Sequence, residues 1–213
     1  MTNSTQPSGA IYVAATERLS ASDPVFGRAI ARIGRCKLGD ECQPASTTFQ
    51  ALLKAITYQQ LSTKAAATIY ARVCALAPDL KPERYRDLAA STLREAGLSR
   101  AKVLSVHDLA MRVCSGEVPS MGTLKTMEDA EIIESLTKIR GIGRWSAEML
   151  LIFRLGRLDV LPVQDLGVQR GFSATFRKSK KPVPEALEHR GERWRPYRSV
   201  ASWFLWRAAD SAR

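Results

Sequence analysis

The chain has few of the residues that metal and redox centres are built from. Its 213 residues hold two histidines and four cysteines, Cys36, Cys42, Cys74 and Cys114. Only Cys36 and Cys42 are near one another, and there is no C-x-x-C pair. That spacing supports neither a zinc site nor a disulfide framework, so the thiols read as reduced ones in an intracellular protein. No apolar run approaches the ~18 residues that a membrane-spanning helix needs, so no span is expected. The opening MTNSTQPSG is polar and lacks the apolar core of a signal peptide, which points to the cytoplasm or nucleoid. Strand-like alternation of apolar and polar residues is missing as well, and no internal repeat is visible.

Positive charge, by contrast, is in excess. Lys and Arg number 32 against 21 Asp and Glu, a formal net charge of +11. A balance this basic suits a polyanion such as nucleic acid, or an anionic membrane surface. The excess is uneven: residues 170–213 hold 11 Lys and Arg against 4 Asp and Glu, a net of +7. A solvated basic face is the plain alternative. With 45% hydrophobic residues the chain can bury a real core, as one large domain or two small lobes.

Nearly every segment has helical period, and the expected fold class is all-α. Residues 1–10 read as disordered. Asp23 and Pro24 open a helix as N-cap and first residue, and it ends near Gly34. Residues 36–46 read as a polar loop. Thr47 or Thr48 caps a helix carrying Phe49, Leu52, Leu53 and Ile56, and Ser62 caps the next. Short helices are expected at 82–88 and 91–97, and a clear one at 99–115. Residues 126–138 (TMEDAEIIESLTK) read as one amphipathic helix with Thr126 as N-cap and Asp129 three residues on. Further helices are expected from Arg144 through Phe153, at 166–176, at 185–190 and at 196–209, with a basic, proline-broken loop at 178–184.

The chain is organised around residues 136–166, LTKIRGIGRWSAEMLLIFRLGRLDVLPVQDL. Gly141 and Gly143 break the helical run, giving a hairpin whose loop can press its backbone against a partner. Amides in the first turn of the second helix have no internal acceptors, so such a helix start suits a phosphate. An ordinary turn inside a bundle is the competing reading, because glycine after a helix end is common. Further on, Pro162 stops any helix and Asp165 sits where a new one begins. An aspartate there is ordinarily an N-cap worth about 1 kcal/mol.

The segments KIRGIGRWSAE, LPVQDLGVQRG and ERWRPYRSVASWFLW, with ITYQQLSTKAAATIYARV upstream, resemble the helix-hairpin-helix DNA glycosylases. Within them the chain is similar to the 3-methyladenine DNA glycosylase II group, over roughly residues 47–206. The resemblance implies two helical lobes flanking a cleft, a middle lobe at about 47–158 and a second lobe from 11–46 plus 159–213. The N-terminal β domain of larger relatives is expected to be absent.

The resemblance also implies roles. Asp165 becomes the catalytic carboxylate, which beside an N-glycosidic bond stabilises an oxocarbenium-like sugar and can orient or deprotonate water. Asp159 falls outside the matched position and is expected to be structural. Trp145 stands where relatives that nick the backbone carry a nucleophilic lysine, so base removal by water without strand cleavage is expected. Arg144 is no amine nucleophile, and Lys138 precedes the loop. Trp145 and Trp206 match positions that line the base pocket. Tyr58 and Trp203 are further aromatic candidates, with core packing as the competing role, and Met149 replaces a tyrosine of some relatives. The turn at Gln59, Gln60 and Leu61 is the expected DNA wedge: Gln60 falls on the position where the family inserts an apolar side chain, and Leu61 is next to it. Gly141, Gly143 and Arg144 are the expected phosphate anchor. Ser99, Arg100 and Lys102 resemble a G-L-S-x-x-K element of the family, structural or in contact with a phosphate.

The expected function is a monofunctional DNA glycosylase that flips alkylated bases out of double-stranded DNA and excises them, acting as a monomer. No metal and no cofactor are expected. An iron–sulfur cluster of the kind some relatives carry lacks ligands, since no cysteine follows Cys114, although hairpin carbonyls in this family can hold a monovalent cation. The alternative is a non-catalytic helix-hairpin-helix protein that grips damaged DNA, and a third reading is a glycosylase for oxidised or deaminated bases. Asp165 with Trp145 and Trp206 favours the first, because a pure binder needs neither a carboxylate nor an aromatic pocket.

Overall fold

The computed structural model describes residues 9–43, 45, 47–176 and 183–211, and all of their regular structure is helical. The chain divides into two compact units, Met1–Pro44 with Glu148–Arg213, and Ala45–Ala147. None of the described helices is long and apolar enough to cross a membrane. Of the segment 1–10, residues 1–8 lie outside the described residues, and Gly9 and Ala10 already belong to the first helix.

The terminal unit opens with α1 (Gly9–Ser22) and α2 (Pro24–Ile33). Asp23 between them caps α2 by accepting the Phe26 amide at 3.3 Å, with Pro24 at the first helical position where a missing N–H costs nothing. Gly34 ends α2 at φ +86°. The expected loop 36–46 contains a short helix, α3 (Leu38–Glu41), because Leu38 packs inward and is fully buried. Pro44 and Ser46 lie outside the described residues.

The middle unit begins with α4 (Thr48–Tyr58), capped by the Thr47 hydroxyl, and α5 (Thr63–Leu76), capped by Ser62. Then come α6 (Pro82–Asp87), α7 (Ala90–Glu95) and α8 (Arg100–Cys114), the last capped by Ser99. Helix α8 packs against α4 and α6 and buries Val103, Val106, Leu109 and Ala110. The single helix expected at 126–138 is instead two, α9 (Met121–Thr126) and α10 (Asp129–Thr137). Thr126 is not the cap, since its hydroxyl donates back to the Thr123 carbonyl at 2.9 Å. Glu128 takes that place, and the Glu131 carboxylate reaches back to accept the Glu128 amide at 3.2 Å, as in a capping box.

The boundary between the units falls inside α11 (Arg144–Phe153), after Ala147, and not near residue 158 as expected. The reason is local. Leu150, Leu151 and Ile152 are buried, and the helix end is bonded to the start of the chain. The Gln43 amide donates to the Phe153 carbonyl at 3.1 Å, and Arg154 Nη1 donates to the Gln43 carbonyl at 2.7 Å.

The terminal unit closes with α12 (Leu166–Phe176), α13 (Val183–Gly191), a 3-10 turn at Glu192–Trp194 and α14 (Arg198–Ser211). Most of the basic loop read at 178–184 lies outside the described residues. Helices α12 and α14 touch backbone to backbone: a Cβ on Gly171 would overlap the Leu205 carbonyl, so only glycine permits the approach. Phe26, Phe172, Phe176, Trp194 and Phe204 form an aromatic core, with Phe172–Phe176 and Phe26–Trp194 centroids at 4.9 and 5.0 Å.

Candidate functional site

Asp165 is placed by a short, braced loop in the terminal unit. Leu161 and Pro162 are buried, the Asp165 amide donates to the Pro162 carbonyl at 2.9 Å, and the Gln169 side chain donates to the Val163 carbonyl at 2.8 Å. The carboxylate caps α12, with Oδ1 accepting the Val168 amide at 2.7 Å. The same oxygen accepts the indole N–H of Trp206 at 2.8 Å. Two donors on one oxygen fix the plane and direction of the carboxylate. Trp206 is in turn stacked on Phe153, centroids 5.7 Å apart and planes 26° apart. Asp165 and Trp206, read separately from sequence, are thus one bonded pair.

Gly167 completes this arrangement and escaped the sequence reading. A Cβ there would lie 2.8 Å from Trp206 Cδ1 and 3.0 Å from Asp165 Oδ1. The signal was available: a glycine in the first turn of a helix stands against a propensity cost of about 1 kcal/mol and asks for a packing reason.

Two other residues of this unit resolve into structural roles. Asp159 accepts Arg198 Nε at 2.8 Å and Arg195 Nη1 at 2.6 Å, tying the loop before Asp165 to the start of α14. Trp203 is not at a pocket surface. It is buried, and its indole donates to Glu41 Oε1 at 3.1 Å. Met149 is half-buried on the terminal-unit half of α11.

In the middle unit the hairpin Arg140-Gly141-Ile142-Gly143 hangs on Ile139 and Ile142, both buried. Gly141 has φ +79°, and a Cβ on it would collide with the Ser105 hydroxyl, so conformation and space both demand glycine. Gly143 is different: a Cβ there would meet nothing within 4 Å. Packing among the described residues therefore does not require it. Gly141, Gly143, Arg144 and Trp145 are all exposed, Trp145 by 48% despite its size. Tyr58 is half-buried at the end of α4, edge-on to Tyr70 at 6.0 Å, with the Lys54 ammonium 5.5 Å from its ring.

The turn after α4 separates its candidates. Gln60 is exposed at φ +55° and Leu61 is 40% exposed. Gln59 instead spends its side-chain amide on the Gly141 carbonyl at 2.8 Å, which leaves it bound to the hairpin rather than projecting as a wedge. Lys102 is not turned to a phosphate either. Its ammonium donates to the Thr57 and Gln59 carbonyls at 2.8 Å each, and burial pushes its pKa below the ordinary lysine value. All four cysteines are thiols. Among the described residues no group of three or more His, Cys, Asp or Glu gathers to hold a metal ion.

Comparison with known proteins identifies the family. The model of the HhH-GPD superfamily base excision DNA repair proteins matches residues 53–196. The chain is 32% identical over 199 residues to the alkylbase DNA glycosidase-like protein mag2 of Schizosaccharomyces pombe, covering 92% of each. It is similar in structure to the 3-methyladenine DNA glycosylase of the same yeast in complex with abasic DNA, with a TM-score of 0.81, 32% identity, and coverage of 91% of this chain and 95% of that one. A DNA-3-methyladenine glycosidase from Bacillus halodurans gives a TM-score of 0.82 at 36% identity, over 93% of this chain and 90% of the other. The chain belongs to the HhH-GPD superfamily of base excision DNA repair proteins and groups with its 3-methyladenine DNA glycosylases.

Proposed function

We propose that the protein is a monofunctional DNA glycosylase that flips alkylated bases, 3-methyladenine among them, out of duplex DNA and hydrolyses their N-glycosidic bonds. The observation that carries the reading is the Asp165 carboxylate, held through Oδ1 by the Val168 amide and the Trp206 indole. A purine methylated at N3 or N7 is cationic, so when the bond to C1′ breaks its electron pair neutralises the departing ring. No proton has to be delivered to the base. What remains to be stabilised is the positive sugar, and a fixed negative carboxylate does that without reorganising. Water then bonds to C1′, giving its proton to Asp165 and from there to solvent.

Trp206 offers a ring beside the carboxylate on which a cationic base can stack. Trp145, where lyases of the superfamily carry lysine, supplies no amine for a Schiff base, which leaves the product as an intact abasic site. Trp145, Met149 and Tyr58 are assigned to the base pocket on resemblance. Gly141, Gly143 and Arg144 grip the phosphates, and Gln60 or Leu61 fills the emptied stack. Hydrolysis of this kind calls for no cofactor, and the protein acts as a monomer.

The test is incubation of the protein with methylated duplex DNA, scoring free bases and strand breaks separately. Release of 3-methyladenine, with strands intact until alkali cuts the abasic sites, is the expected result. Tight binding without release would overturn the enzyme reading in favour of a damage-binding protein, and strand cleavage without alkali would overturn the monofunctional assignment.

A further inference from the structure

We propose that Lys102 and Gln59 are positioning residues that lock the turn at Gln60 and Leu61 to the Gly-x-Gly hairpin, so that eversion of a paired base depends on them while glycosidic cleavage does not. The inference rests on the glycosylase reading above.

Lys102 sits in the first turn of α8, yet its ammonium serves another helix. The Thr57 and Gln59 carbonyls it holds are at the end of α4, where the last carbonyls of a helix lack internal donors and the helix dipole favours a cation. It caps α4 from outside. Gln59 is then held twice, with its carbonyl on Lys102 and its side-chain amide on the Gly141 carbonyl. The hairpin is gripped by the same helix. Asp108 Oδ2 accepts the Arg140 amide at 2.8 Å, and Ser105 closes against Gly141. Residues 102, 105 and 108 are spaced three apart and fall along one side of α8, so a single rigid element carries both the turn and the phosphate anchor. Lys102 is partly buried, and that burial lowers its pKa, a cost that its two carbonyl acceptors offset. Gln60 follows directly at φ +55°, a conformation kept by a residue with a Cβ only where its neighbours over-determine it.

A wedge can fill the gap left by a flipped base only if it stays at a set distance from the phosphates that hold the strand. A loose turn must be ordered at the moment of insertion, and that cost falls on eversion rather than on the bond-breaking step. A base that is already unstacked escapes the cost.

The experiment compares single-turnover release of 3-methyladenine from two oligonucleotides, one pairing the lesion in a full duplex and one presenting it as a single-base bulge. Lys102→Met keeps the aliphatic stem and removes the donors. It should slow release from the paired duplex about tenfold, equivalent to ~1.4 kcal/mol, and change release from the bulge by less than about twofold. Gln59→Glu, which has no donor for the Gly141 carbonyl, should reproduce the duplex defect, and it decides the matter if Lys102→Met fails to fold. Equal losses on both substrates, or no loss on either, would overturn the proposal. Wild-type protein that releases base from neither substrate would defeat the glycosylase reading itself, an outcome distinct from an altered ratio.

Discussion

Replacing Gly167 with alanine should slow excision even though it adds helix propensity. In an ordinary helix the exchange stabilises by about 1 kcal/mol. Here the new methyl carbon would lie 2.8 Å from Trp206 Cδ1, 3.2 Å from Trp206 Nε1 and 3.0 Å from Asp165 Oδ1. Comfortable contact begins near ~3.6 Å, so the indole must retreat by roughly 0.8 Å. The Trp206–Asp165 bond starts at 2.8 Å, and a retreat of that size takes it to the edge of what counts as a hydrogen bond. Phe153, stacked on the indole itself, limits where the ring can go. A hydrogen bond to a carboxylate is worth about 2 kcal/mol, so excision should fall roughly thirtyfold if the bond acts fully in the transition state. Single-turnover base release with a thermal melt alongside measures both effects. Trp206→Phe, which keeps a ring on Phe153 but has no N–H, should show a loss of similar size. An alanine variant that melts higher and excises at the wild-type rate would refute the reasoning, because the indole would then not be packed over Gly167 and Asp165.

Other substitutions probe separate parts of the account. Arg144→Ala should weaken binding to damaged and undamaged duplex alike and reduce the slope of log affinity against log salt by about one, as measured by fluorescence anisotropy across salt. Gly141→Ala forces a left-handed conformation on a residue with a Cβ and drives it into Ser105, so the melting temperature should fall, reflecting about 1–2 kcal/mol or more. For Asp23, burial pushes the carboxyl pKa up, but hydrogen bonds from Arg190 and the Phe26 amide outweigh it and hold the value below the ordinary one. A folded-state value below the unfolded one means that this stabilisation is full above about pH 4 and is lost as pH falls through the folded value. Asp23→Ala, which leaves Arg190 unpaired, should cost about 3 kcal/mol at neutral pH and flatten the acid limb of a pH–denaturation series.

What the sequence made legible was whatever is decided within a few residues. Helix α12 was read at its observed start because Pro162, Asp165 and the apolar period all act locally. The all-helical class and the hairpin followed from the same kind of signal. Thr126 was misread as a cap because Glu128 and Glu131, a weaker signal by residue preference, formed the box instead. The rest depends on contacts between distant segments. Trp203 and Trp206 are one turn apart on α14, and only the position of Glu41, 162 residues away, separates the core residue from the one that meets Asp165. Gln59 looked like a wedge until its bond to Gly141 was in view, and Gly171 acquires its meaning only when α14 lies against it.

Base release by wild type and Asp165→Asn, measured side by side on methylated duplex, tests the central claim most directly. Asparagine keeps an oxygen for the Val168 amide and the Trp206 indole, so the exchange removes the charge and leaves these bonds in place. The variant should bind an abasic-site duplex as wild type does and release 3-methyladenine at least ~10²-fold more slowly. Release at the wild-type rate would contradict the account and remove Asp165 from the chemistry.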